Sequence, residues 1–189
     1  MLLVFSKGRL LRGLLWGLML ASCFPAVSSA AEVALMSVGQ SPDAMMVRVL
    51  LKKMKVDSDY NAMLQKTELG DRKVLIAVVG GSSKGLGAAG IDKEQEMERA
   101  REVFGEAKAK GIRILVMHVG GEGRRGELSD FFVKDSVPFG EKIIVVKGGN
   151  DDGIFDSLKG PDATVTTAEK IQGTQEPLAE ILKEWGVGD

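Results

Sequence analysis

The sequence predicts an α/β domain built on a mostly parallel sheet with helices on both faces. Three observations lead there. Four short runs of Val, Ile and Leu are nearly continuous in apolar residues, the mark of strands buried on both faces. Amphipathic helical patterns separate these runs, so strand and helix alternate. Clusters of glycine follow the runs directly, where strand-to-helix turns fall and where positive φ is needed.

Taken in order, Val33–Val38 is the first strand. Ser41-Pro42-Asp43 then opens a helix, because serine caps free N–H groups and proline is tolerated at the first helical position. Met46, Val49, Leu50 and Met54 are expected to form its buried face. Asp59–Leu64 is a weaker strand, and Val74–Val79 a strong one. After it, Gly85, Gly87 and Gly90 are expected to hold the chain as a loop until Asp92. There Gln95, three residues on, completes a capping box. The helix Glu94–Lys110 stops at Gly111, as helices do at a glycine. Its stripe of Met97, Ala100, Val103, Phe104 and Ala107 reads as core. Strands follow at Ile112–Val119 and Ile143–Lys147, with a weaker one at Ala163–Thr167. Further helices are expected at Glu127–Lys134, Asp152–Leu158 and Glu176–Trp185. Right-handed crossovers would fold this alternation into one three-layer sandwich, flavodoxin-like or Rossmann-like. No repeat or inner linker divides it, so residues 31–189 form a single domain.

The first 30 residues read as an export signal rather than structure. Lys7, Arg9 and Arg12 make a positive start, Leu14 to Phe24 is apolar, and Ser28 and Ala30 fit the small-x-small pattern of signal peptidase. Leu20-Ala21-Ser22-Cys23 also fits a lipobox, which would make Cys23 a lipid anchor. Cleavage after Ala30 is preferred, and either route implies a secreted or periplasmic domain. Cys23 is the only cysteine, so no internal disulfide supports the fold. The mature stretch contains no transmembrane span. Three of the 25 basic side chains lie in the leader and all 26 acidic ones follow it, leaving a formal charge of −4. That balance, without a basic stripe interleaved with aromatics, argues against nucleic acid as a partner.

Function is sought at the glycine loops, because ligands of open parallel sheets bind outside the carboxyl ends of the strands. The candidate ligand residues are Gly39, Ser41, Gly81, Ser82, Ser83, Lys84, Gly85, His118, Gly120, Gly121, Arg124 and Arg125. Glycine exposes backbone N–H groups, the serines and Lys84 add donors, and the arginines grip carboxylate or phosphate through paired bonds. The leading expectation is therefore a module that binds a small anionic ligand. A second reading takes Gly81-Ser82-Ser83-Lys84-Gly85 as a nucleophile elbow, with Ser83 as nucleophile, His118 as base and Asp92 or Asp130 to orient it. A third treats the loops as turns on an envelope-associated interaction module. Gly80–Gly87 also resembles the dinucleotide turn of short-chain dehydrogenases. It follows a later strand than that motif requires, and the only tyrosine, Tyr60, lies upstream. A Walker Gly-Lys-Ser/Thr run is missing too. No cofactor and no metal centre is expected. Asn150-Asp151-Asp152 could touch a cation, but helix capping explains it equally.

Three segments carry a family resemblance: Gly39-Gln40-Ser41-Pro42-Asp43-Ala44, Gly80–Ile91 and Met117–Asp130. Together they resemble an uncharacterised family of secreted bacterial domains, one classed as a domain of unknown function. The similarity runs from Val33 to Leu182, with Gly123 standing where the family has alanine. It implies a signal peptide and a Rossmann-like fold, and it brings no activity, substrate or catalytic residue.

Overall fold

The computed structural model describes Leu2 and residues 31–188. Apart from Leu2, the expected export signal, Cys23 and the expected cleavage point at Ala30 lie outside these residues. Six strands form one sheet: β1 (Val33–Val38), β2 (Ser58–Tyr60), β3 (Val74–Val79), β4 (Arg113–His118), β5 (Lys142–Val146) and β6 (Thr164–Ala168). Every neighbouring pair is parallel, and the order is β2-β1-β3-β4-β5-β6. This is the flavodoxin-like order with one strand added at the far edge.

Alternation along the strands divides the core in two. Ala34, Met36, Val38, Leu75, Ala77 and Val79 face the layer made by α2 (Ser83–Ala89), α3 (Lys93–Ala109), α4 (Glu127–Ser136) and α5 (Ile154–Leu158). Val33, Leu35, Val74, Ile76 and Val78 face α1 (Asp43–Lys53) and α6 (Gln175–Glu184). Phe104, Phe132 and Phe155 are fully buried in the first layer. Each such side chain contributes about 1.5–3 kcal/mol. Both faces of the sheet are thus covered by helices from within residues 31–188. Among the described residues no helix is long and apolar enough to cross a membrane.

Three expectations are corrected here. The chain does not wait until Asp92 to become helical, because α2 starts at Ser83, directly after β3. The Ser82 hydroxyl accepts from the Gly85 N–H at 3.0 Å and caps it, and Leu86 anchors it in the core. Gly90, with φ +70°, ends it. A single-turn cap and one buried leucine outweigh the helix cost of two glycines, about 1 kcal/mol each.

The second correction concerns α1. Its buried residues are Asp43, Ala44, Val47, Leu50 and Leu51, while Met46 and Val49 point outward. Apolar residues occupy most of the sequence DAMMVRVLLKK, so periodicity alone leaves the inward face ambiguous. The smaller strand-facing chain, Ala44, settles it by allowing close approach to the sheet. The weak strand expected over Asp59–Leu64 shortens to Ser58–Tyr60, and Asn61 begins a turn instead.

Candidate functional site

Because all strands are parallel, the loops after β1, β3, β4 and β5 meet at one edge. Strand order reverses between β1 and β3, where this fold usually takes its ligand. Here that crevice is shut by the chain itself. Gln40 and Gly81 form an antiparallel bridge, and the Ser82 N–H donates to Gly39 O at 2.8 Å. A Cβ at Gly85 would stand 2.0 Å from Gln40 O, so only glycine allows this approach. The motif read as a ligand cradle is at this point a device for packing backbone on backbone.

Beneath the closure lies a buried ion pair. Glu96 is fully buried and accepts from the Gly39 N–H and the Gln40 amide, both at 2.9 Å. Arg99 donates to Glu96 at 2.9 and 2.8 Å, and to Leu64 O and Ser37 O at 2.8 Å each. The pair is tolerable in the core because its hydrogen-bonding capacity is largely met. Gln40, at φ +55°, is held in the left-handed region by its bonds to Glu96 and to Ala62 O. Sequence reading missed Glu96 and Arg99. They flank the Met97–Ala100 stripe at i, i+3, a spacing that reads as a surface pair on any solvated helix. Ser41 is also internal, with its hydroxyl accepting from the Asp43 N–H at 3.1 Å.

His118 ends β4 and is fully buried. Its Nδ1 lies 3.0 Å from Val79 O and its Nε2 3.3 Å from Gly121 O. Burial holds its pKa below the ordinary 6.5, while the two carbonyls act in the opposite sense. Both nitrogens are turned to backbone, so neither is offered to the Ser83 hydroxyl, which is exposed at the start of α2. The two carboxylates considered as orienting groups are engaged elsewhere: Asp92 caps α3 through the Gln95 N–H at 2.7 Å, and Asp130 pairs with Arg125.

The two arginines differ. Arg125 spends all five of its N–H donors: on Asp130 through Nε and Nη2, on Asp152 through Nη1 and Nη2, and on Gly149 O through Nη1. Its hydrogen bonds hold the Asp130 pKa low and bring that of Asp152 down to about 2. Arg124 pairs with the buried Asp43 through Nε at 3.1 Å and Nη2 at 3.4 Å. Its Nη1 has no partner among the described residues, and its side chain is 33% exposed.

Next to Arg124 the edge opens. A cavity of about 300 Å³ is lined by Gly81, Ser83 and the run from Gly123 to Ser129. The first turn of α4 starts there, after Gly126, with no side-chain cap on it. Its leading N–H groups are left without intrahelical partners. Ser129 takes part from within, its hydroxyl accepting from the Gly81 N–H at 2.9 Å. Of the residues expected from sequence, Gly81, Ser83, Arg124 and Arg125 come together at this cavity. Gly39, Ser41, Ser82, Lys84, Gly85, His118, Gly120 and Gly121 do not line it. Lys84 is exposed on α2. Glu127 also lines the space. Among the described residues no group of three His, Cys, Asp or Glu side chains converges as a metal site.

Fold and edge together define a flavodoxin-like α/β domain whose switch point is sealed and whose open donor-lined cavity lies one connection further along. The chain belongs to the family described as a domain of unknown function, DUF6305, and the match spans residues 30–182. No curated protein and no solved structure matches it.

Proposed function

We propose that this chain is an exported binding module that takes a small carboxylate or phosphate at the cavity between Ser83, Arg124 and the start of α4. The observation that carries this reading is that one space is lined by three residues or segments with unspent donors: Ser83, Arg124 with its unpartnered Nη1, and the uncapped first turn of α4. An anion there gains charge-assisted hydrogen bonds and the favourable end of the α4 dipole. The volume suits only a small ligand or the anionic end of a larger one. Glu127 at the rim disfavours polyanions, since a second negative charge would face its carboxylate. Export rests on the positive start, short apolar stretch and small residues before Ala31.

Calorimetric titration of residues 31–189 with inorganic phosphate and with small mono- and dicarboxylates tests the reading. Ser83→Ala removes one donor from an exposed position. It should weaken binding by roughly tenfold, the worth of a hydrogen bond to a charged group at its lower end. Arg124→Lys keeps a cation beside Asp43 but loses the planar fork, and should weaken it further. Failure of every anion to bind the unaltered chain would contradict the proposal.

A further inference from the structure

Among the described residues, apart from Leu2, the large apolar side chains that stand exposed all lie on one helix: Met45 and Met46 at 42% and Val49 at 62% on α1. With the exposed Pro42 they make a ridge on the side of α1 turned away from the sheet. The charges that α1 itself carries at the surface have one sign, while the exposed acids on this face of the sheet, Glu176, Glu180 and Glu184, belong to α6. Lys52, Lys53 and Lys55 are exposed and form no ion pair among the described residues, and Arg48 lies over the Tyr60 ring at 5.4 Å. The one acidic residue of α1, Asp43, is buried and paired with Arg124. This concentration of positive charge stands out in a stretch whose formal charge is −4. Asp57 is the nearest exposed acidic residue in sequence, and Asp59 is paired with Arg72.

Lys55 closes the helix. It sits just past the end of α1 at φ +61°, while the Val56 N–H reaches back to Leu51 O at 2.9 Å. That position favours glycine, so a lysine is held there against its conformational preference.

We infer that α1 is a docking surface for an anionic membrane. The helix would lie flat, with Pro42, Met45, Met46 and Val49 among the headgroups and Lys52, Lys53 and Lys55 on lipid phosphates. Chain direction agrees. α1 runs back toward the edge where β1 begins, and Val33 there pairs in register with Ser58, just beyond Lys55. Ala31 enters β1 at that same edge, so a lipid on Cys23, the alternative to cleavage after Ala30, would bring the lysines to the bilayer. A second copy of the chain suits the surface less well. Three partly exposed side chains fall far short of the roughly 800 Å² per partner of a stable interface, and the lysines around them repel one another.

The test is sedimentation of residues 31–189 with vesicles of equimolar phosphatidylglycerol and phosphatidylcholine, set against phosphatidylcholine alone. The chain should partition onto the anionic vesicles and leave them as salt rises. Each lysine neutralised, Lys52→Gln or Lys53→Gln, should weaken partitioning about fivefold. Met45→Ser with Val49→Ser should abolish it with only a small loss of melting temperature, because the two side chains are 42% and 62% exposed. Three results would overturn the inference: no binding to anionic vesicles, equal binding to neutral ones, or a dimer in solution that the Met45→Ser, Val49→Ser variant dissociates. The last would assign the ridge to a second copy.

Discussion

Between β1 and β3 the carboxyl edge is shut, while along the connection from β4 into α4 it stays open. Both regions are built from glycine, serine and arginine. In the first, Gly39, Gln40 and Arg99 all converge on Glu96, and the glycine loop serves contact between two stretches of the same chain. In the second, Arg125 is consumed in the same internal way, but Arg124 keeps a free Nη1 and α4 keeps an uncapped first turn. What separates a structural loop from a binding loop is therefore not the residue types present but whether the fold has already used their donors.

The largest expected effect breaks the closed side. Glu96→Ala leaves Arg99 buried without its partner and should cost about 3–5 kcal/mol in denaturant unfolding. A loss below about 1 kcal/mol would show that water reaches the pair and that the closure is loose. A smaller effect compares two glycines of the same short helix. Gly85→Ala drives a Cβ into Gln40 O and should cost about 1–3 kcal/mol. Gly87→Ala meets nothing within 4 Å and should stabilise α2 by up to about 1 kcal/mol. Equal costs would mean that Gly85 is not a contact point between loops.

The smallest effect is a pH trend. His118 is held below its ordinary 6.5 in the folded state by burial. The unfolded chain therefore takes the proton first, and stability is fully present above about pH 7. It declines as pH falls through 6.5, with a slope of at most about 1.4 kcal/mol per pH unit. His118→Asn should flatten the melting-temperature profile between neutral pH and pH 5. Asp130 and Asp152, whose pKa values are lowered, act in a separate and more acidic window, below pH 4. A profile unchanged in His118→Asn would show that the imidazole titrates in the folded chain as it does in water.

The sequence carried the fold well, for a physical reason. Val33–Val38, Val74–Val79 and the Met97–Ala107 stripe announce burial on two faces or one, and the Asp92–Gln95 capping box marks its helix start within a residue. The family resemblance in Gly80–Ile91 and Met117–Asp130 held for the same chain. What the sequence did not carry were facts of partnership. Nothing local to Glu96 says that Gly39 and Gln40, more than 50 residues earlier, will donate to it. Adjacent Arg124 and Arg125 look alike until Asp43 takes part of one and Asp130 and Asp152 take all of the other. The inward face of α1 was likewise undecidable where apolar residues surround the helix axis.

The most direct test of the central claim is an amide chemical-shift titration of residues 31–189 with inorganic phosphate. We expect saturable shifts at Ser83 and at Arg124 to Ser129, with Gly39, Gln40 and Gly80 unmoved. Shifts centred instead on Gly39, Gln40 and Gly80 would mean that the β1–β3 crevice opens to ligand and that the closed side is the binding side.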